Sequence, residues 1–366
     1  ILLYIGLDEI SESEGLDRAH MRLPQSQVDL IEAVAAVNPN VVAVMSAGSA
    51  VEMPWLPRVK ALIHGYLCGQ AGASSVLKAI MGQVNPSGKL AETYPVKYED
   101  VSSAPYFPAK ERTAEYRESL YVGYRYFETA KVPVLFPFGF GLSYTTFEYS
   151  DLTVTNKEAA FTIKNTGKMD GAEVAQLYVS KTDGDVFRPA KELKGFQKVF
   201  LKAGESKKVA IQLDDKAFRY FNVDTNRFEV EGGEWNILIG ASAADIKLSG
   251  KVSVTGTEAK SPYDKAKLAK YFSGDIKNVS NEEFEALLGR PIPDGHWSGT
   301  LDMNDAICQL YYAKSGLARF VYKIMTNMLN KSIEKGEPDL NITFIYNMPF
   351  RGIAKMAGGM CTMEMA

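Results

Sequence analysis

Cysteine is scarce in this sequence. Cys68, Cys308 and Cys361 stand far apart, with no C-x-x-C pair and no metal-ligand spacing. That excludes a disulfide framework and a clustered metal site, and no metal or cofactor is expected. A thiol-poor chain without paired cysteines fits a reducing compartment, so a cytoplasmic location is expected. A charge surplus is missing too. Lys plus Arg number 41 against 44 Asp plus Glu, a net charge of −3, which leaves no basic field for nucleic acid or an anionic membrane surface. No apolar run approaches the ~20 residues of a membrane span, so no membrane partner is expected. Phosphate loops are absent: Gly69-Gln70-Ala71-Gly72 is not G-x-G-x-x-G, and Gly88-Lys89 is followed by Leu90. These glycines are read as places where a helix approaches a sheet closely. There is no initiating Met and no signal peptide. The chain opens inside an apolar run and closes on G-G-M-C-T-M-E-M-A, so both ends read as cuts in a longer chain.

What is present changes period along the chain, and 366 residues allow two or three domains. Residues 1–92 alternate strand and helix. Ile1 to Ile5 reads as a strand broken by Gly6, and a helix runs from Pro24, a favoured N1 residue, to Val37. Val41 to Met45 and Ala61 to Leu67 read as further strands, and Gly69 to Met81 as a helix. Such alternation predicts a mostly parallel sheet with helices on its faces. Residues 93–143 are rich in Tyr, Phe, Pro and charge and read as a linker lying across other domains. There the aromatics supply contact area or, alternatively, a sugar platform.

In residues 144–256 the period shortens. Phe161 to Lys164, Val174 to Val179, Lys198 to Leu201, Val209 to Leu213 and Trp235 to Ile239 are short runs, with turn signals such as Asn165-Thr166-Gly167 and Glu231-Gly232-Gly233 between them. This predicts an antiparallel β-sandwich with Trp235 inside it. Residues 257–366 turn mainly helical. Ser280-Asn281-Glu282-Glu283 reads as a capping box, with Gly289 and Pro291 ending that helix. Leu317, Phe320, Val321, Ile324, Met328 and Leu329 form a helical stripe. The methionine-rich tail reads as gap-filling core, with a partner groove as the alternative.

The chemistry-bearing stretch lies at the start. After the first strand comes a crowded loop with Asp8, Glu9, Glu12, Glu14 and Asp17, closed by Arg18. In open α/β sheets the carboxyl ends of strands are where ligands sit. A solvated acidic loop is the plain alternative. Glu12-Ser13-Glu14-Gly15-Leu16-Asp17-Arg18, followed by M-R-L-P-Q-S-Q at 21–27, resembles the second domain of glycoside hydrolase family 3, which includes β-glucosidases. The resemblance continues in Asn85-Pro86-Ser87-Gly88-Lys89-Leu90, in E-S-L-Y-V-G-Y-R-Y at 118–126 and in P-F-G-F-G-L-S-Y-T at 137–145. It extends through K-E-L-K-G-F at 191–196 and E-W-N-I-L-I-G-A-S at 234–242, which are similar to the family's fibronectin type III-like domain. The final segment resembles tails of some clostridial members.

The resemblance implies a retaining glycosidase acting on terminal β-glucosyl residues of a glucoside or short oligosaccharide. It implies Glu14 as general acid/base, from the family's E-G-x-D-R run. Asp17 and Arg18 touch sugar hydroxyls or form a structural pair. The family's nucleophile is an Asp on a preceding (β/α)8 barrel, and no stretch here matches it, so the barrel would be a missing partner within the same polypeptide. In an extended loop residues two apart point the same way, so the residues alone leave Glu12 and Glu14 both open. A non-catalytic carbohydrate-binding or docking module and a flavodoxin-like nucleotide binder remain as other classes; the lack of a phosphate loop opposes the second.

Overall fold

In the parallel region, strand β1 (Leu2–Gly6) turns Leu3 and Ile5 inward and leaves Leu2 and Tyr4 exposed. The structure is a computed structural model and describes all residues except 14–16, 110–111, 182, 298, 336–338, 357 and 359–366. Helix α1 (Gln25–Val37) follows, then β2 (Val42–Ser46), β3 (Ala61–His64) and helix α2 (Gly72–Ile80). The three strands pair in parallel in the order β1-β2-β3, with Gly6 beside Ser46 and Met45 beside His64. Their carboxyl ends therefore meet at one edge. Leu3, Ile5, Ile31, Ala43, Met45, Val51 and Trp55 form the core beneath it, each large side chain contributing about 1.5–3 kcal/mol by burial.

Two boundaries differ from those read in the sequence. Pro24 is the N-cap of α1 (φ −50°, ψ 134°), one residue outside the first turn. Helix α2 starts at Gly72, because Tyr66, Cys68 and Gly69 have positive φ and turn the chain first. A Cβ on Gly72 would lie 2.2 Å from the Cys68 Cβ, so this glycine admits the preceding turn rather than the sheet.

The connecting segment contains β4 (Tyr94–Pro95), helix α3 (Tyr124–Ala130) and β5 (Val134–Phe136), with β4 and β5 antiparallel. Its aromatics mostly pack. Tyr121, Tyr126 and Phe127 are buried with Phe187, Leu268 and Tyr271. The Tyr121 hydroxyl donates to the carbonyls of Arg188 and Tyr271, and Tyr271 donates back to the Arg117 carbonyl at 2.9 Å. Arg117 pairs with Glu115 at 2.6 Å and reaches Asn281 at 2.7 Å.

The antiparallel region has strands β6 (Phe147–Val154), β7 (Glu158–Asn165), β8 (Gly171–Ser180), β9 (Glu192–Leu201), β10 (Ser206–Gln212), β11 (Arg219–Asn222), β12 (Arg227–Val230), β13 (Gly233–Gly240) and β14 (Ile246–Val254). One sheet runs β10-β7-β6 and the other β14-β13-β8-β9, while β11 and β12 form a separate ribbon. The inward faces of both sheets share one core around Phe161, Ile163, Leu177, Ile237 and Trp235. A buried ion pair, Lys89 to Glu173 at 3.0 Å, joins this sandwich to the α/β region.

Helices α4 (Ala269–Ser273), α5 (Asn281–Leu288), α6 (Gly316–Glu334), α7 (Leu340–Asn347) and α8 (Phe350–Met356) make up the rest. The Ser280 hydroxyl accepts from the Glu283 amide at 3.2 Å, and Gly289 closes α5 at φ +68°. The Glu283 carboxylate accepts from the Lys270 amide at 2.6 Å, so only half of the expected capping box forms. The stripe on α6 is helical as its spacing predicts, yet Leu317 is 74% and Phe320 59% exposed. The methionines of the tail beyond 358 lie outside the described residues.

Candidate active site

Three loops leave the carboxyl edge of the parallel sheet side by side: 7–24, 47–58 and 65–71. The first begins at Gly6, where a Cβ would lie 2.0 Å from the Ser46 carbonyl oxygen, so only glycine lets β1 meet β2 at this point. The unpaired side of β1 is closed by the Gln27 amide. Its oxygen accepts from Gly6 N and its nitrogen donates to Gly6 O, both at 2.9 Å. A helix side chain thereby replaces the hydrogen bonds that an edge strand lacks.

The acidic loop then turns on itself. Glu12 N donates to Asp8 O at 3.1 Å and Ser11 N to the Asp8 carboxylate at 2.8 Å. Hydrogen bonds from Ser11 hold the Asp8 carboxyl below its usual range. This turn replaces, over residues 8–12, the extended loop assumed from the sequence.

Four contacts tie the loop to the segment after β2. Leu7 N donates to Ser46 O at 3.0 Å. The Glu12 carboxylate accepts from Gly48 N at 2.5 Å, and Arg18 Nη1 donates to the Ser49 hydroxyl at 2.6 Å. Glu52 N donates to Met21 O at 2.7 Å. Asp17 stands exposed. Glu14, the residue that the sequence selects, lies outside the described residues together with Gly15 and Leu16.

Sequence reasoning missed a second group at this edge. Glu92 is half-buried. Burial pushes its carboxyl up, opposed by the Ala50 amide and the Arg18 charge. Beside it, the Tyr94 hydroxyl meets His64 Nε2 at 2.5 Å, and the His64 and Tyr66 ring centroids lie 4.1 Å apart with the planes tilted by 45°. Burial raises both tyrosines, and charge from Glu92 adds to it. His64 Nδ1 faces Met45 O at 3.4 Å. A neutral ring with its proton on Nδ1 and the Tyr94 O–H donating to Nε2 satisfies both contacts. The only signal in the sequence was polar residues at strand ends.

Burial lowers the His64 pKa. Its neutral form therefore contributes stability above the unfolded value of about 6.5, and this is lost as pH falls through the depressed folded value. Thermal midpoints of wild type and His64→Gln, measured from pH 7.5 to 5, are expected to converge or cross as pH falls, with the variant showing the shallower decline. Parallel curves would remove His64 as the source.

Among the described residues no cluster of His, Cys, Asp and Glu is arranged to hold a metal, and no helix is long and apolar enough to cross a membrane. The clefts elsewhere do not touch this edge. One of about 410 Å³ lies by Tyr220, Glu231 and Tyr263, and one of about 480 Å³ by Tyr116, Phe284 and Leu288. The edge itself is open.

The α/β region matches a glycosyl hydrolase C-terminal domain, and part of the sandwich after it matches a fibronectin type III-like domain. Residues 1–144 match the glycosyl hydrolase family 3 C-terminal domain and 173–243 match the fibronectin type III-like domain. The chain belongs to glycoside hydrolase family 3 through these domains and stands close to the family's β-glucosidases. Thermostable β-glucosidase B of Acetivibrio thermocellus is 49% identical over 316 residues, covering 83% of this chain and 41% of that protein. Exo-α-(1→6)-L-arabinopyranosidase of Bifidobacterium breve is 44% identical over 262 residues, covering 70% and 35%. Among solved structures, the family 3 β-glucosidase of Bifidobacterium adolescentis aligns with TM-score 0.69 at 42% identity, over 72% of this chain and 40% of that one. The Kluyveromyces marxianus β-glucosidase in complex with glucose aligns with TM-score 0.66 at 41% identity, over 69% and 31%. The chain thus spans less than half the length of each of these proteins.

Proposed function

We propose that this chain is the C-terminal part of a retaining β-glucosidase acting on terminal β-D-glucosyl residues of a glucoside or short oligosaccharide, in the cytoplasm. Glu14 is its general acid/base. The nucleophilic Asp belongs to a (β/α)8 barrel domain outside these residues, and the sugar lies between the two. Glu14 protonates the glycosidic oxygen as the C1–O bond breaks and the Asp carboxylate bonds C1. It then takes a proton from the water that attacks C1 and releases the Asp. Asp17 and Arg18, three and four residues further along, bind sugar hydroxyls, and Arg18 also holds the loop through Ser49.

The observation that carries this reading is the E-G-L-D-R run at 14–18, on a loop leaving the carboxyl edge of a parallel sheet, in a chain 49% identical to a β-glucosidase. A non-catalytic carbohydrate-binding or docking module of the same domains is the second reading. The test is an assay of the purified chain alone, and of the chain fused behind the barrel-containing part of the Acetivibrio thermocellus enzyme, on nitrophenyl β-D-glucoside and nitrophenyl α-L-arabinopyranoside. The chain alone is expected to show no turnover, because removing one member of a cooperating set costs many orders of magnitude. The fusion is expected to hydrolyse the glucoside. Turnover by the chain alone overturns the half-site assignment; an inactive, folded fusion favours the binding module.

A further inference from the structure

Among the described residues, four hydrogen bonds anchor the acidic loop between Leu7 and Met21 to the end of β2 and the segment after it, residues 46–52. Two of these anchors bracket the step that contains Glu14. On one side Glu12 Oε1 accepts from Gly48 N at 2.5 Å; on the other Arg18 Nη1 donates to Ser49 Oγ at 2.6 Å. Gly48 is fitted to this contact, since a Cβ there would lie 2.9 Å from Glu12 Oε1. The second guanidinium nitrogen of Arg18 is buried without a hydrogen-bond partner among the described residues.

Resting on the assignment of Glu14 above, we propose that Gly48 and Ser49, acting through Glu12 and Arg18, are positioning residues for the acid/base carboxyl. The segment after β2 is a clamp that grips the loop on both sides of Glu14. Glu12 works here as a hydrogen-bond acceptor, and its negative charge strengthens the contact to a backbone amide. It donates no proton to substrate. The clamp matters because general acid catalysis requires the carboxyl within hydrogen-bond reach of the leaving oxygen. A displacement of about 1 Å can cost on the order of 10²-fold in rate.

The role can be separated from simple structural support by the leaving group. A dinitrophenolate departs without protonation, whereas the glucose of a disaccharide needs it. In the active fusion protein, Glu12→Ala and Gly48→Ala are expected to lower kcat/KM for cellobiose by about 10- to 100-fold. Both should leave kcat/KM for dinitrophenyl β-glucoside, which reports formation of the glycosyl-enzyme, within about twofold. Glu12→Gln keeps the acceptor oxygen but has no acidic proton, so it is expected to retain most of the cellobiose activity. If Glu12→Gln is as poor as Glu12→Ala, Glu12 is itself the acid and the clamp assignment is overturned. Equal losses of kcat/KM on both substrates also overturn it, because formation of the glycosyl-enzyme from the dinitrophenyl substrate does not need the acid. Glu14→Gln assayed in parallel separates the two levels. A leaving-group effect at Glu14 without one at Gly48 or Glu12 removes the clamp alone, and no such effect at Glu14 removes the acid/base assignment. Where the thermal midpoint of Gly48→Ala collapses, Glu12→Gln against Glu12→Ala decides by itself.

Discussion

Replacing Glu14 by Ala in the active fusion protein is expected to lower kcat/KM for cellobiose by about 10²–10⁴-fold, the usual contribution of a positioned acid/base. The loss on dinitrophenyl β-glucoside should be concentrated in the second step. Formation of the glycosyl-enzyme from that substrate needs no proton donor, but its hydrolysis still needs a base to take a proton from water. The covalent intermediate should accumulate and appear as a burst of dinitrophenolate. Azide, which needs no deprotonation, should then attack C1 in place of water. The product should be the β-glycosyl azide, since two inversions at C1 restore the original configuration. An α-azide would indicate a single displacement and end the retaining assignment. Undiminished cellobiose hydrolysis would take the acid role away from Glu14. Gly48 N–H occupies only one oxygen of the Glu12 carboxylate, so the search would move to Glu12 and to Glu92, half-buried at the same edge with a raised carboxyl pKa.

The second large effect belongs to the sandwich. Trp235 on β13 is 2% exposed and sits edge-to-face on Phe218 with centroids 5.3 Å apart. Its Nε1 donates to Glu231 O at 3.1 Å, and the Arg188 guanidinium lies 4.9 Å from its ring. Trp235→Ala removes the largest side chain of that core, and a backbone carbonyl and an arginine lose their partner with it. Urea unfolding is expected to show a loss of about 3–5 kcal/mol. Trp235→Phe keeps most of the apolar area and forfeits the N–H bond, so it should cost less, with about 1 kcal/mol of it from that bond. A loss under about 1 kcal/mol for the alanine variant would mean that the site collapses around the hole, against the packing described.

The architecture was legible where side-chain period reports directly on burial. Strand β13 keeps a strict alternation, with Trp235, Ile237 and Ile239 all buried. Strand β6 does not. Asp151 has φ +56° and the register shifts between Ser150 and Thr153, so the inward set passes from Phe147 and Tyr149 to Leu152 and Val154. A bulge of this kind breaks the two-residue period on which strand recognition depends. In β14 the alternation of Ile246, Leu248, Val252 and Val254 is interrupted by Gly250, where a Cβ would lie 2.9 Å from a Val154 methyl. The α6 stripe shows a different limit. Amphipathic spacing forecasts the helix correctly, but it says nothing about what covers the apolar face.

Of the candidate site, the place of the acidic loop at the carboxyl end of β1 followed from the strand–loop–helix pattern. The contact made by Glu12 did not, because its partner is an amide 36 residues away in sequence. The same holds for His64, Tyr66, Glu92 and Tyr94, which come from separate strand ends and meet only when the sheet is assembled.

The segment that follows the α/β region has a mechanical consequence. Linkers between domains ordinarily permit hinge motion. Here Tyr121 is fully buried, and its hydroxyl grips one carbonyl from the sandwich side and one from the C-terminal helices. Arg117 is locked between Glu115 and Asn281. These contacts tie the linker to the sandwich and to α4 and α5, and the Lys89–Glu173 pair ties the sandwich to the α/β region, so hinge motion between them is opposed. In the proposed enzyme, any movement that seals the sugar from water is expected at the boundary with the barrel. The acid loop would arrive there on a rigid arm whose far end is set by the sandwich.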